Sequence, residues 1–215
     1  NNYETYKWCF KMNKLKMKLK VNYTIKNLYD LQSLNIVGKQ LQSIPTEIGL
    51  LTNLQILSFY KNELRTLPHE IGLLVNLQIH NLSKNRLTYL PLGFELLVNL
   101  RDLYLCSNQL QVLPPKIGLL TNLRNLHINN NWLRSLPTEI GSLTNLKALS
   151  LNNNNLRELP REFGLLTKLK TLSVYHNKIQ SLPIEFSSLV NLHLFQSHDI
   201  QLNQQAKNLL PNVIT

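Results

Sequence analysis

Proline recurs at Pro45, Pro68, Pro91, Pro114, Pro137, Pro160 and Pro183, each interval being 23 residues. Asparagine keeps that step at Asn62, Asn85, Asn108, Asn131, Asn154 and Asn177, and glycine at Gly49, Gly72, Gly118, Gly141 and Gly164. Three residue types tied to one period mean a chain built from copies of one small unit. Such a unit cannot bury its own apolar face, whereas stacked units share a continuous core.

One unit shows the local logic. From Leu54 the chain reads L-Q-I-L-S-F-Y-K-N-E-L-R-T-L-P, then H-E-I-G-L-L-V-N before Leu77. Leu57 and Phe59 alternate with Ile56, Ser58 and Tyr60, the period of two that marks a short strand with one inward face. Asn62 ends the strand, its amide able to donate and accept where the chain turns inside the stack. Leu64 and Leu67 fill the turn, and Pro68, which has no N–H for a ladder, stops the strand. Residues 71–77 are expected to return along the outer side as a short helical or irregular arc, with the glycines marking a repeated turn. Full units begin at Leu31, Leu54, Leu77, Leu100, Leu123, Leu146 and Leu169, with a degenerate eighth at Leu192. Their strands are expected to pair in parallel at about 4.8 Å, a ladder roughly 35 Å long.

The pattern L-x-x-L-x-L-x-x-N-x-L resembles the leucine-rich repeat. Within it, Leu136-Pro-Thr-Glu-Ile-Gly-Ser-Leu-Thr-Asn-Leu146 is similar to the 23-residue LPxEIGxLxNL class of Ras-binding scaffolds, plant Ras-group-related proteins and disease-resistance-type domains. The resemblance covers about residues 21–200. It implies an α/β solenoid, a right-handed curved horseshoe with a parallel β-ladder on the concave face and short arcs on the convex face. It also implies a cytoplasmic, non-enzymatic scaffold or adaptor in signal transduction. The same repeat accompanies catalytic and nucleotide-binding domains in larger proteins. The expected division is a basic segment and degenerate cap over residues 1–30, the solenoid over 31–200 and a cap over 201–215, read as a short helix over 201–210. Lys39 and Ile200 replace the ladder Asn at the two ends, where one face of a stack meets solvent. His80 takes an inward Leu position and reads as a neutral histidine partnered in the core or as a locally shifted strand. Pro91-Leu-Gly-Phe-Glu95 scrambles the usual order, so the arc there is expected to bend differently.

Strand alternation sorts the remaining positions. The exposed concave rows are expected to include Ile56, Ser58, Tyr60 and Lys61; Ile79, Asn81, Ser83 and Lys84; Asp102, Tyr104, Cys106 and Ser107; Asn125, His127, Asn129 and Asn130; Ala148, Ser150, Asn152 and Asn153; and Thr171, Ser173, Tyr175 and His176. This face is polar, nearly uncharged and dotted with rings. Tyr and Trp bury much area while keeping a polar tip, so Tyr60, Tyr104, His127, Trp132 and Tyr175 are the candidate anchors. With them Lys61, Asn81, Lys84, Asp102, Asn129, Asn152 and His176 make up the candidate site for a protein partner. No phosphate-loop, dinucleotide, H-E-x-x-H or C-x-x-C motif is present, so no cofactor, metal or small-molecule substrate is expected. Cys106 and His127 fall on neighbouring strands at different positions, a poor basis for a thiol–imidazole pair. His193, Ser197, His198 and Asp199 cluster near the end without the geometry that defines a triad.

Charge enters through the excess of 23 Lys+Arg over 12 Asp+Glu, a net +11. Residues 1–30 contribute +5 of it, seven lysines against Glu4 and Asp30. Leu15, Met17, Leu19 and Val21 alternate with Lys14, Lys16, Lys18 and Lys20, which reads as a strand whose lysines blunt a sheet edge. Trp8, Met12, Leu15 and Leu19 instead fit a basic amphipathic helix. A cap of either kind is expected. The sharper alternative is contact with a membrane surface or with nucleic acid through residues 7–20, and the nearly neutral concave face argues against nucleic acid as the main partner.

Overall fold

The apolar positions of each repeat point inward because consecutive repeats hold one register. In the computed structural model, which describes residues 2–198, 200 and 208, a single sheet runs β1-β2-β3-β4-β5-β6-β7-β8 in sequence order, every neighbouring pair parallel. The strands are β1 Ser33–Asn35, β2 Ile56–Ser58, β3 Ile79–Asn81, β4 Asp102–Tyr104, β5 Asn125–His127, β6 Ala148–Ser150, β7 Thr171–Ser173 and β8 Leu194–Gln196. Each residue pairs with the one a full period later, as in Leu57 with His80 and Leu126 with Leu149. The expected α/β leucine-rich-repeat solenoid is therefore present, with the strands on one side and short 3-10 turns on the other. Those turns span Thr46–Leu50, His69–Leu73, Phe94–Leu96, Pro115–Leu119, Thr138–Ser142, Arg161–Leu165 and Ile184–Ser188. At most of them a proline in extended conformation precedes the turn, its fixed φ feeding the chain into it, as at Pro137 with φ −67° and ψ 150°.

Two asparagine ladders tie the repeats together. The inner one is Asn62, Asn85, Asn108, Asn131, Asn154 and Asn177. In Asn131 the Oδ1 accepts from the Leu110 amide at 3.0 Å, while Nδ2 donates to the Leu105 and Ile128 carbonyls at 2.9 and 3.0 Å. The amide thus satisfies backbone groups of its own repeat and of the preceding one, where burial would otherwise leave them unpaired. The outer ladder runs through Asn53, Asn76, Asn99, Asn122, Asn145 and Asn191, each Nδ2 donating to a carbonyl of the preceding repeat, as Asn122 does to Val98 at 2.9 Å. Lys168 takes this place in one repeat and reaches the Asn145 Oδ1 at 2.8 Å.

The glycines of the outer arc do fall in the repeated turn, as expected, but close packing and not the turn's geometry calls for them. Gly49, Gly72, Gly118, Gly141 and Gly164 adopt negative φ, so no turn requires them. A Cβ on Gly141 would stand 2.5 Å from the Glu162 carbonyl oxygen and one on Gly118 would stand 2.6 Å from that of Glu139. Their bare Cα lets the next repeat's backbone pack directly against the arc. In the scrambled repeat Gly93 does adopt a left-handed φ of 92°, and its turn shortens to Phe94–Leu96. Phe94 fills the inward place that Ile71 takes one repeat earlier.

The N-terminus resolves the two readings of the lysine-rich segment. Residues Asn2–Leu19 form helix α1, and Ile25–Tyr29 form helix α2, started by the Thr24 hydroxyl accepting from the Asn27 amide at 3.1 Å. The expected strand over Leu15–Val21 is absent. A strand would have turned Met17 inward, whereas the helix buries Met12, Leu15 and Leu19 against the first repeat and leaves Met17 exposed. Lys14 closes this cap by an ion pair to Glu47 at 2.6 Å, and Lys20 donates to the Lys39 carbonyl at 3.1 Å. The Glu47 carboxyl is held below its usual range: burial raises its pKa, but hydrogen bonding and attraction to Lys14 outweigh that. At the other end Ile200 packs against the core. The expected capping helix lies, apart from Asn208, outside the described residues.

Candidate binding surface

Parallel pairing turns each strand position into a row across the inner face. One row is Ile56, Ile79, Asp102, Asn125, Ala148, Thr171 and Leu194, and another Ser58, Asn81, Tyr104, His127, Ser150, Ser173 and Gln196. Beyond the strands lie Tyr60, Ser83, Cys106, Asn129, Asn152 and Tyr175. Next come Lys61, Lys84, Ser107, Asn130, Asn153 and His176, all in the left-handed region with φ between 53° and 58°.

The rings on this face are held by their neighbours. Tyr104 and His127 stack face to face, centroids 5.1 Å apart and planes within 1°. The His127 Nδ1 lies 3.0 Å from the Ser150 hydroxyl. Burial lowers the His127 pKa, opposed by Asp102, and burial raises that of Tyr104, helped by Asp102. Asp102 itself accepts from the Asn125 amide. Lys84 lies over the Tyr60 ring, Nζ 5.3 Å from the centroid, and its hydrogen bond to Tyr60 raises its pKa. Tyr175 packs against His198 at 4.5 Å and edge-on to His176 at 5.0 Å. Asn81 accepts from the Ser83 amide at 3.0 Å, and Lys61 is exposed.

Some expected members of the site stand elsewhere. Asn152 is only 7% exposed, its Oδ1 taken by the Ser173 hydroxyl at 3.2 Å, and Ser58, Ser83 and Ser173 are likewise buried. Side chains converge on a concave surface, so short polar groups sink between longer neighbours. Trp132, half exposed, follows the ladder residue Asn131 rather than a strand, which puts it at the rim. Cys106 and His127 do not form a thiol–imidazole pair. The Cys106 thiol donates to the Asn129 Oδ1 at 2.8 Å, and burial pushes its pKa up, away from the reactive thiolate. In the C-terminal cluster His198 serves the Tyr175 stack, while Asp199 lies outside the described residues.

Sequence reasoning missed the rims. Arg101, Arg124, Lys147 and Lys170 occupy the position just before four successive strands, exposed, with Arg101 and Arg124 lining a groove of about 330 Å³. On the opposite rim Arg134, Arg157 and Lys178 line another of about 570 Å³. Among the described residues none of these cations joins an ion pair. Half of the twelve carboxylates sit instead on the outer turns, at Glu47, Glu70, Glu95, Glu139, Glu162 and Glu185. The 23-residue step at 101, 124, 147 and 170 was the available signal.

The comparisons with known proteins agree with this architecture. A leucine-rich repeat region matches residues 9–132 and a further leucine-rich repeat residues 121–179. No curated protein matches the chain. Among solved structures, an LRR protein of Leptospira interrogans is 40% identical, with a TM-score of 0.82 over 88% of this chain and 49% of its own. The plant peptide hormone receptor RGFR1, in complex with RGF2, is 31% identical, with a TM-score of 0.67 over 81% of this chain and 33% of its own. The LRR ectodomain of the membrane receptor kinase GASSHO1/SCHENGEN3 from Arabidopsis thaliana, in complex with CASPARIAN STRIP INTEGRITY FACTOR 2, is 29% identical, with a TM-score of 0.70 over 86% of this chain and 23% of its own. This chain thus spans about half, or less, of the length of each. By the matched repeats and by the Leptospira likeness, the chain belongs to the leucine-rich repeat family.

Proposed function

We propose that this chain is a protein-binding module, a scaffold or adaptor that captures a protein or peptide on its concave face. The observation that carries this reading is the pre-ordering of the Tyr104–His127 stack on a rigid register. Rings that are already immobile lose little entropy on binding, so contact area converts more fully into affinity. Tyr60 under Lys84 and Tyr175 against His198 extend the same design toward the two ends. Unpaired cations on both rims favour a partner with acidic margins. The complexes of the peptide hormone receptor RGFR1 with RGF2 and of GASSHO1/SCHENGEN3 with CASPARIAN STRIP INTEGRITY FACTOR 2 support a partner of this kind. The LPxEIGxLxNL motif and the free thiols of Cys9 and Cys106 support a cytoplasmic signalling role of the Ras-scaffold type. The test is affinity capture by the chain and by its Tyr60→Ala/Tyr104→Ala/Tyr175→Ala variant. Loss of capture with unchanged thermal unfolding is expected, and undiminished capture by the variant refutes the concave site.

A second reading, that these repeats are the recognition part of a larger receptor or enzyme, is favoured by the small share of the receptor ectodomains that they span. The complete reading frame around this segment decides between the two.

A further inference from the structure

Helix α1 carries two apolar faces. The inner one, Trp8, Met12, Leu15 and Leu19, packs against the first repeat. The outer one is Tyr3, Tyr6, Phe10 and Met17, exposed to 71, 75, 71 and 79%. At 3.6 residues per turn these four fall within about 60° of arc, diametrically opposite the buried face. From Tyr3 to Met17 they form a straight stripe about 21 Å long at 1.5 Å per residue. Three large rings this exposed on successive turns, with Met17 on the same face two turns on, mark a contact surface rather than ordinary scatter.

Lys7, Lys11 and Lys18 run along one border of the stripe, all exposed. The ion pair that this helix makes among the described residues is the one from Lys14 to Glu47. Glu4, near the start of the helix, and Asp30 are the carboxylates on this part of the chain. An apolar, aromatic face edged by lysines, on a helix lying flat across the end of the solenoid, has the anatomy of an interfacial helix. Phe and Met side chains would enter the acyl boundary, and Tyr hydroxyls and lysine ammoniums would stay at headgroup level.

We propose that the outer face of α1 docks the end of the solenoid onto an anionic membrane surface. Charge argues for this occupant over a second copy of the chain, because pairing two such faces would bring both rows of lysines together. It also argues for a membrane over nucleic acid. A nucleic-acid strand calls for cations tracking its phosphates among the rings, whereas here Lys7, Lys11 and Lys18 lie to one side of the exposed rings and not between them. The contact is peripheral, since no helix among the described residues is long and apolar enough to cross a bilayer.

The experiment is co-sedimentation of the full chain with phosphatidylcholine vesicles, with and without phosphatidylserine, beside two variants. Binding to the phosphatidylserine vesicles is expected, with little to phosphatidylcholine alone and loss at high salt. Tyr6→Gln/Phe10→Gln/Met17→Gln should weaken it at least about tenfold. Lys7→Gln/Lys11→Gln/Lys18→Gln should weaken it about a hundredfold, near fivefold per lysine. All six changes are at exposed positions, and circular dichroism and melting check the fold. If the stripe variant melts lower, the lysine variant decides alone. No sedimentation with phosphatidylserine vesicles, or equal binding by the deciding variant, overturns the proposal. So does a dimer or an oligothymidylate complex formed through this face in place of vesicle binding. The triple-tyrosine variant of the concave face should bind vesicles unchanged, which keeps the two sites distinguishable.

Discussion

His80 sits where the other strands place Leu34, Leu57, Leu103, Leu126, Leu149, Leu172 and Phe195, fully buried between Phe59 and Phe94. Its Nδ1 lies 2.9 Å from the Leu57 carbonyl, which can only accept, so Nδ1 carries a proton. Among the described residues its buried Nε2 has no hydrogen-bond partner. Burial lowers its pKa from 6.5 to about 4, opposed by the bond to Leu57. The unfolded chain therefore takes up a proton as pH falls through 6.5, and the folded chain does so only near 4. Stability is complete above the upper value and falls with pH through that window, by about 3 kcal/mol in all at roughly 1.4 kcal/mol per pH unit. His80→Leu removes this linkage. At pH 7 the variant loses the bond to Leu57, about 1 kcal/mol, but also loses an unpaired buried nitrogen worth about 1–3 kcal/mol, so it should be equal or more stable. Urea unfolding of both proteins at pH 7 and pH 5 isolates the effect, because carboxylates common to both cancel. The variant's advantage should grow by about 2 kcal/mol between those values. A difference that stays flat with pH would refute the argument that the histidine is held neutral.

Other positions yield equally direct expectations. Gly141→Ala puts a methyl 2.5 Å from the Glu162 carbonyl oxygen and should cost about 1–3 kcal/mol by chemical denaturation; a neutral effect would mean that adjacent arcs separate easily. Asn131→Ala leaves the buried Leu110 amide without its partner, while the Leu105 carbonyl keeps Asn108, and should cost roughly 1–3 kcal/mol, with amide exchange accelerating at Leu110. If the loss stays under about 1 kcal/mol, the ladder is not the lock described. Ser107→Gly relieves a left-handed φ of 55° and should raise stability by up to about 1 kcal/mol, read as a higher Tm; a lower Tm would show that the serine side chain matters more than the strain.

The parts of the fold legible beforehand were those that depend on one repeat alone. The strand alternation around Leu57, the ladder role of Asn62 and the core place of His80 follow from side-chain chemistry and spacing. What escaped depends on two repeats meeting. The bare Cα of Gly141 has meaning only against the Glu162 carbonyl, and Asn122 only against the Val98 carbonyl. Asn152 was expected on the surface because alternation gives direction but not depth. Helix α1 was ambiguous because its two apolar faces are opposed, so Leu15, Met17, Leu19 and Val21 imitate the alternation of a strand.

Both asparagine ladders reach backwards. Each amide satisfies carbonyls or amides of the repeat before it, and the place that would lock the Asn177 repeat holds Ile200, whose side chain has no polar atom. The stack therefore has a grain. Peeling from the C-terminal side removes, at each step, the side chains that close the backbone of the repeat newly left at the end, so every loss prepares the next. Peeling from the N-terminal side takes away the backbone partners instead, leaving side-chain amides that water can serve. Within the described repeats, loss from the side beneath α1 is thus resisted more than loss from the other. Single-molecule pulling from alternate ends should register that asymmetry as different unzipping forces.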